Sequence, residues 1–283
     1  MKHHLVLWRI ALIVVLIASL VYVSRQTTAR GPGGLESPEV VTDRALALLH
    51  ADVNALREDT QEAIRIAAVY AGSGMNNTAE GAYLLGCQFE REQNYHSAEG
   101  CFKKAIALAP EWSWPYASLG NLLGRYSFDR VEEAKATLQK AITLDPEWGR
   151  PYGILAIILR AEGKYEEALV QSELALRYMP GDISPLNNYA NLLVDLKRYD
   201  EAEVYFHRAI ESFPGHPKPY YNLACLYALI GRTDEALANL TEAFKLSDAL
   251  RLEAMNDGDF AALREDPRFD ALVHRGKQPA AGA

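Results

Sequence analysis

Residues 152–180, which read YGILAIILRAEGKYEEALVQSELALRYMP, contain the pattern that decides the fold. Two amphipathic stretches of helical length flank a turn at Gly163, and Ala168 and Ala175 stand seven residues apart in the second stretch. Pro180 follows five residues later and ends the unit. Apolar residues spaced by three, four and seven are typical of helices, so the stretch predicts two antiparallel helices joined by a tight turn.

The same pattern recurs with a period of about 34 residues, as expected for an array of helix pairs. Five pairs of alanines have the seven-residue spacing: Ala98/Ala105, Ala134/Ala141, Ala168/Ala175, Ala202/Ala209 and Ala236/Ala243. Four of them precede a proline, and these prolines lie 36, 34 and 34 residues apart, at Pro110, Pro146, Pro180 and Pro214. The longer first interval predicts a two-residue insertion near residues 126–130.

A small residue lies twelve positions before the first alanine in four of the repeats: Gly86, Ala156, Ala190 and Ala224. Two antiparallel helices approach closely only where their side chains are small. These positions therefore predict the points of closest contact within each helix pair.

The repeat pattern resembles the tetratricopeptide repeat family. In the third repeat the matching residues are Tyr152, Leu155, Ala156, Leu159, Gly163, Tyr165, Ala168, Ala175 and Pro180. The resemblance covers five repeats over residues 79–248. It implies an all-α fold, a right-handed superhelical solenoid of antiparallel helix pairs.

The segments that flank the repeats are predicted to close the array. Residues 39–78 have helical periodicity, and we expect a helical N-terminal cap or a degenerate repeat there. Residues 249–276 resemble the C-terminal capping helices of bacterial arrays of this family, with Leu263, Phe269 and Leu272 as the apolar contacts. Residues 277–283 are predicted to be a disordered tail.

Residues 5–23, LVLWRIALIVVLIASLVYV, form an apolar run long enough to cross a bilayer. Arg9 lies near one end of this run, where its side chain can reach the interface. We expect residues 1–24 to be an uncleaved transmembrane signal anchor, followed by a linker over residues 25–38. A cleaved signal peptide is the alternative for the same segment.

An uncleaved anchor and a cleaved signal peptide would both be expected to carry the repeats across the membrane and out of the cytoplasm. The prediction is a single-pass protein of the bacterial inner membrane with its repeats in the periplasm. Basic residues lie on both sides of the apolar run, at Lys2 and Arg9 and at Arg25 and Arg30, so the charge difference across it is weak. The opposite orientation, a receptor that faces the cytoplasm, therefore remains open.

The family resemblance also predicts where a partner binds. The first helix of each pair lines the concave face, and that face commonly holds an extended peptide or a helix of a client protein. By repeat position the candidate peptide-binding residues are Tyr83, Asn121, Arg125, Arg160, Asn187, Asn188, Asn191, Tyr221 and Asn222. Asparagine amides both donate and accept hydrogen bonds, which suits a peptide backbone, and arginines can bind carboxylates. The alternatives are asparagines that bridge neighbouring helices and arginines that are merely solvated.

Other classes of function have little support in the sequence. The formal net charge of −8 disfavours nucleic-acid binding, because domains that bind nucleic acids usually present a basic face. The three cysteines, Cys87, Cys101 and Cys225, cannot form a complete disulfide framework, and we interpret them as half-buried small side chains. No catalytic constellation, metal-ligand spacing or cofactor motif is present, so we expect a scaffold or adaptor for envelope assembly and not an enzyme. An accessory subunit of an enzyme complex is the other alternative.

Overall fold

The computed structural model describes residues 77–274, and every regular element there is helical. The predicted anchor at 1–24, linker at 25–38, nearly all of the segment 39–78 and the tail at 277–283 lie outside the described residues. The helices are α1 (Ala79–Arg91), α2 (Tyr95–Leu108), α3 (Ser113–Tyr126), α4 (Val131–Leu144), α5 (Gly149–Ala161), α6 (Tyr165–Tyr178), α7 (Ile183–Asp195), α8 (Tyr199–Ser212), α9 (Pro217–Leu229), α10 (Thr233–Leu246), α11 (Leu250–Asn256) and α12 (Pro267–Val273). Between residues 77 and 274, none of the helices combines the length and apolar character needed to cross a bilayer.

The chain divides into two compact units, one ending at Leu122 and the other beginning at Leu123. In the first unit, α1 and α2 pack as an antiparallel pair. Thr78 caps α1 by accepting a hydrogen bond from the backbone N–H of Gly81 at 3.0 Å, as serine and threonine commonly do at helix starts. A Cβ atom added to Gly86 would lie 2.6 Å from the Phe102 ring, which confirms the predicted close contact.

The second unit contains three successive helix pairs, α5–α6, α7–α8 and α9–α10, and each pair also packs on the next. The alanines that define the repeat are the innermost residues of these pairs. Ala168, Ala190, Ala202, Ala224 and Ala236 are all fully buried. Their methyl groups let the helix backbones approach closely, while larger side chains such as Phe206 and Leu240 fill the space around them.

The turns inside the pairs share one backbone conformation. Gly163 and Gly231 have φ values of 75° and 77°, in the left-handed region that glycine adopts without strain. Lys197 occupies the equivalent position in the intervening repeat, with a φ of 59°. The predicted insertion near residues 126–130 forms a short 3₁₀ turn, Phe128–Arg130, before α4.

Residues 250–273 form a cap on the last repeat. It consists of α11, a 3₁₀ segment at Gly258–Leu263 and α12. The 3₁₀ segment packs on α9, while α11 and α12 contact α10. Phe260, Leu263 and Phe269 are buried in this contact, and the Phe260 ring meets the Tyr221 ring edge-on at 5.5 Å between centroids. The predicted contacts of Leu263 and Phe269 are thus present.

Candidate binding groove

An opening that carries several of the predicted residues lies in the second unit, between α7, α9 and the cap, with Arg160 of α5 at one end. Its volume is about 440 Å³, within the range of ligand sites in proteins. We call it the α7–α9 groove. It is lined by Arg160, Asn191, Val194, Asp195, Tyr221, Asn222, Cys225, Leu226, Leu229, Glu253, Asp257 and Asp259.

The repeat period explains how the helices supply this lining. Asn191 and Cys225 lie 34 residues apart, and so do Asp195 and Leu229. The two residues of each set therefore lie at equivalent positions of α7 and α9, on the same face of these two helices. The groove is the common face of α7 and α9, and the cap closes it at its far end.

A guanidinium and a carboxylate hold the α5 end of the groove. Arg160 donates two hydrogen bonds to Asp195, one through Nε and one from Nη2 to Oδ1 at 3.1 Å. This forked geometry is the strongest form of such a pair and orients both side chains. The charge of Asp195 is therefore already neutralised within the fold.

The amides in the middle of the groove are partly ordered by one another. Asn222 donates from Nδ2 to Oδ1 of Asn187 at 3.0 Å, which links α9 to α7. This bond uses only one of its N–H groups and leaves the amide oxygen to accept. Asn191 lines the groove beside it. The two amides can form hydrogen bonds with an extended backbone without reading its side chains.

The cap supplies a cluster of acidic groups. Tyr221 donates to Oδ2 of Asp257 at 2.8 Å. Ligand atoms of Cys225, Asp257 and Asp259 all lie within 4.8 Å of one another. Burial, and then the charge of Asp257, raise the pKa of the Cys225 thiol and also that of the Asp259 carboxyl.

These pKa directions define what the cluster can do chemically. The raised pKa keeps Cys225 protonated at neutral pH, so the thiol is a poor nucleophile. A cation held by all three residues would need the thiolate, which the same carboxylates disfavour. The cluster is therefore best described as an anionic surface at one end of the groove.

The structure brings four of the nine predicted residues together in the groove: Arg160, Asn191, Tyr221 and Asn222. Asn187 accepts a hydrogen bond from Asn222 and so links α7 to α9. This is the alternative in which an asparagine bridges neighbouring helices. Asn188 lines a much smaller cavity, together with Ile157 and Arg160. Tyr221 lines the groove although the residue as a whole is almost entirely buried, and its hydroxyl is bound to Asp257.

The other three predicted residues lie elsewhere. Tyr83 is buried in the first unit, where its ring packs on Trp112 at 4.9 Å between centroids. Asn121 donates to Glu90 at 3.2 Å. Arg125 lies over the neighbouring Tyr126 ring at 5.3 Å. The prediction assigned residues to the inner face by repeat position alone. It did not account for the large ring of Tyr83, which is more stable when buried than when exposed.

Sequence reasoning missed Cys225, Glu253, Asp257 and Asp259 as groove residues. The 34-residue spacing from Asn191 was a signal for Cys225. The three acidic residues belong to the cap, which has no repeat register, so no counting rule places them. All three cysteines are half-buried, as interpreted from the sequence.

Models of the tetratricopeptide repeat match residues 116–147 and 182–249. The chain contains tetratricopeptide repeats. The second match spans α7 to α10 and so includes the helices that form most of the groove. No curated protein sequence matches the chain significantly.

Several solved structures have a similar fold. A tetratricopeptide repeat protein from Thermus thermophilus is 23% identical with a TM-score of 0.56, and the alignment covers 62% of this chain and 96% of that one. IFIT1 with m7Gppp-AAAA is 13% identical with a TM-score of 0.69, covering 90% of this chain and 62% of that one. The APC/C hetero-tetramer Cut9–Hcn1 is 16% identical with a TM-score of 0.61, covering 86% and 43%. At these identities the likeness concerns the fold alone.

Proposed function

We propose that this chain is a membrane-anchored scaffold that binds a segment of a client protein in the α7–α9 groove. The observation that carries the proposal is the placement of two asparagine amides, Asn191 and Asn222, beside an exposed leucine in one groove. Amides bind a main chain, and Leu229, with 54% of its surface exposed, offers an apolar contact to a side chain. A polypeptide satisfies both kinds of group at once.

A protein client suits the charge of the groove better than a nucleic acid does. The lining holds four carboxylates, Asp195, Glu253, Asp257 and Asp259, against one guanidinium, Arg160. Nucleic-acid sites neutralise phosphates with lysine and arginine, and an acidic groove repels them. The RNA cap named with IFIT1 is therefore a poor model for the ligand of this chain, whereas the protein assembly named with Cut9–Hcn1 is a better one.

Anchoring and location rest on the amino-terminal sequence. The apolar run at residues 5–23 supports a single membrane-spanning helix with the repeats in the bacterial periplasm. In that setting the client is an envelope or secreted protein, and the scaffold assists the assembly of an envelope complex. We propose no catalytic role and no cofactor for the chain itself.

Site-specific photocrosslinking in cells tests the proposal. A photoreactive amino acid is placed at Leu229 in the groove or at Val204 on α8, outside it. The two positions are matched in exposure, at 54% and 56%. We expect Leu229 to crosslink to a discrete partner and Val204 not to do so. Asn191→Ala combined with Asn222→Ala should reduce the Leu229 crosslink at least severalfold.

Two results would contradict the groove as the binding site. One is equal crosslinking from Leu229 and Val204, and the other is a Leu229 crosslink that the two alanine substitutions leave unchanged. Asn222→Ala also removes the hydrogen bond to Asn187. Thermal unfolding by circular dichroism therefore accompanies the crosslinking, with Asn187→Ala as the control for that bond.

A further inference from the structure

The acidic groups of the α7–α9 groove differ in whether the fold already neutralises them. Asp195 is bound by Arg160, and Glu253 is bound by Lys218 at 2.6 Å. Within residues 77–274, no lysine or arginine forms an ion pair with Asp257 or Asp259. The uncompensated negative charge of the groove is therefore concentrated at its cap end.

The carboxylates of Asp257 and Asp259 can accept further hydrogen bonds in addition to their present contacts. Asp257 accepts from the Tyr221 hydroxyl at 2.8 Å, and the Cys225 thiol lies within 4.8 Å of the Asp259 carboxylate. The hydroxyl and the thiol are both neutral, so neither cancels the charge. An ionised carboxylate offers about four acceptor positions, and a second donor can be bound beside the first.

Apolar residues line the same groove as these carboxylates. Leu229 is more than half exposed, and Val194 of the preceding first helix shares the lining. Lysine and arginine bind such surfaces through their methylene stems while the cationic head reaches a polar site. The groove thus combines an amide region for a main chain, an apolar wall for a stem and an anionic end for a head.

Holding the two carboxylates together has a cost in the unbound protein. Partial burial, and then the charges of Asp257 and Asp195, raise the pKa of Asp259, while the charge of Arg160 lowers it. A cationic head placed between the two would remove that repulsion. A carboxyl whose pKa is shifted by burial and by a neighbouring charge, and which lies in a cleft, is more common at functional sites than elsewhere.

We infer that the client segment carries a lysine or arginine whose cationic head is bound by Asp257 and Asp259 in the α7–α9 groove. This inference rests on the proposed function and names the chemistry of the partner. The stem of that side chain lies against Leu229, and the adjoining main chain is bound by Asn191 and Asn222.

The test uses the full chain in detergent micelles and a phage-displayed library of random nine-residue peptides. We expect the peptides selected by the wild-type protein to share a lysine or arginine at one position of their alignment. The best peptide is then synthesised with that residue and with methionine in its place. Binding of both is measured by calorimetry at low salt and at physiological salt.

The variants separate the two pairs of acidic residues. Asp257→Asn with Asp259→Asn should weaken the basic peptide by roughly tenfold or more, as expected for a charge-assisted hydrogen bond, and should leave the methionine peptide unchanged. Glu253→Gln removes one negative charge, as Asp259→Asn alone does, but at a carboxylate that Lys218 already neutralises. It should weaken binding by no more than about threefold, because an exposed ion pair contributes little.

The outcomes distinguish this inference from the proposed function. Failure of the wild-type protein to select any peptide would overturn both. Selected peptides without a basic position, or equal losses in Glu253→Gln and in the Asp257/Asp259 variant, would overturn the inference and leave groove binding in place. Asp259→Asn alone serves as a second variant because it keeps the Tyr221–Asp257 bond, and thermal unfolding verifies that each variant folds.

Discussion

At the scale of single residues, the turn within each helix pair places one residue in the left-handed region of the backbone map. Gly163 and Gly231 occupy this position without strain, while Lys197 occupies it with a Cβ atom. An L-residue with a side chain pays roughly 1–2 kcal/mol for this conformation. The turn at Lys197 is therefore less stable than the equivalent turns at Gly163 and Gly231.

Replacing Lys197 with glycine should raise the free energy of unfolding by about 1 kcal/mol, since the strain is relieved and only part of the gain is lost to unfolded-state entropy. Urea denaturation followed by circular dichroism measures the change. The reverse substitution, Gly163→Lys, is the control and should lower stability by a similar amount. If both substitutions had the same sign, backbone strain would not be the cause.

At the scale of helices, the start of α5 lies close to the end of α6. A Cβ atom at Gly149 would lie 2.9 Å from the carbonyl oxygen of Ala175, whose backbone cannot move aside easily. A Cβ atom at Gly153, one turn later, would lie 3.7 Å from the Ala175 methyl group, an ordinary contact. The two glycines thus have different roles within one helix.

Gly149→Ala should destabilise the protein by about 1–3 kcal/mol, because overpacking forces the two helices apart. Gly153→Ala is the matched control and should stabilise it by about 0.5–1 kcal/mol through helix propensity. Thermal unfolding of both variants is the measurement. A Gly149→Ala protein as stable as the wild type would mean that the helix pair adjusts without cost.

At the scale of the whole molecule, membrane orientation determines which proteins can reach the groove. Alkaline phosphatase, which is active only outside the cytoplasm, and a reporter active only inside it are fused in turn after Ala283 in a bacterial host. We expect activity from the first fusion and none from the second. Deleting residues 1–24 should abolish the phosphatase signal. Activity of the cytoplasmic reporter alone would contradict the periplasmic assignment and favour a receptor on the cytoplasmic face.

The repeat register could be predicted from the sequence because it depends on local spacing. Ala168 and Ala175, Gly163 and the helix-ending prolines each act within a few residues of themselves. Their recurrence every 34 residues predicted the helix pairs and their buried faces, and the family resemblance added the expected inner-face positions of Asn191 and Asn222. The same rule placed Tyr83 on the inner face, where the packing of a large ring in the core prevailed.

Only the tertiary structure revealed the acidic end of the groove. Asp257 and Asp259 belong to a cap without periodicity, and they reach Cys225 because the buried Phe260, next to Asp259 in the chain, holds this segment against α9. Long-range packing of this kind depends on which apolar side chain fills which space, and no spacing rule expresses it. The sequence thus determined the repeated helices and their faces, whereas the tertiary structure decided which charges meet in the groove.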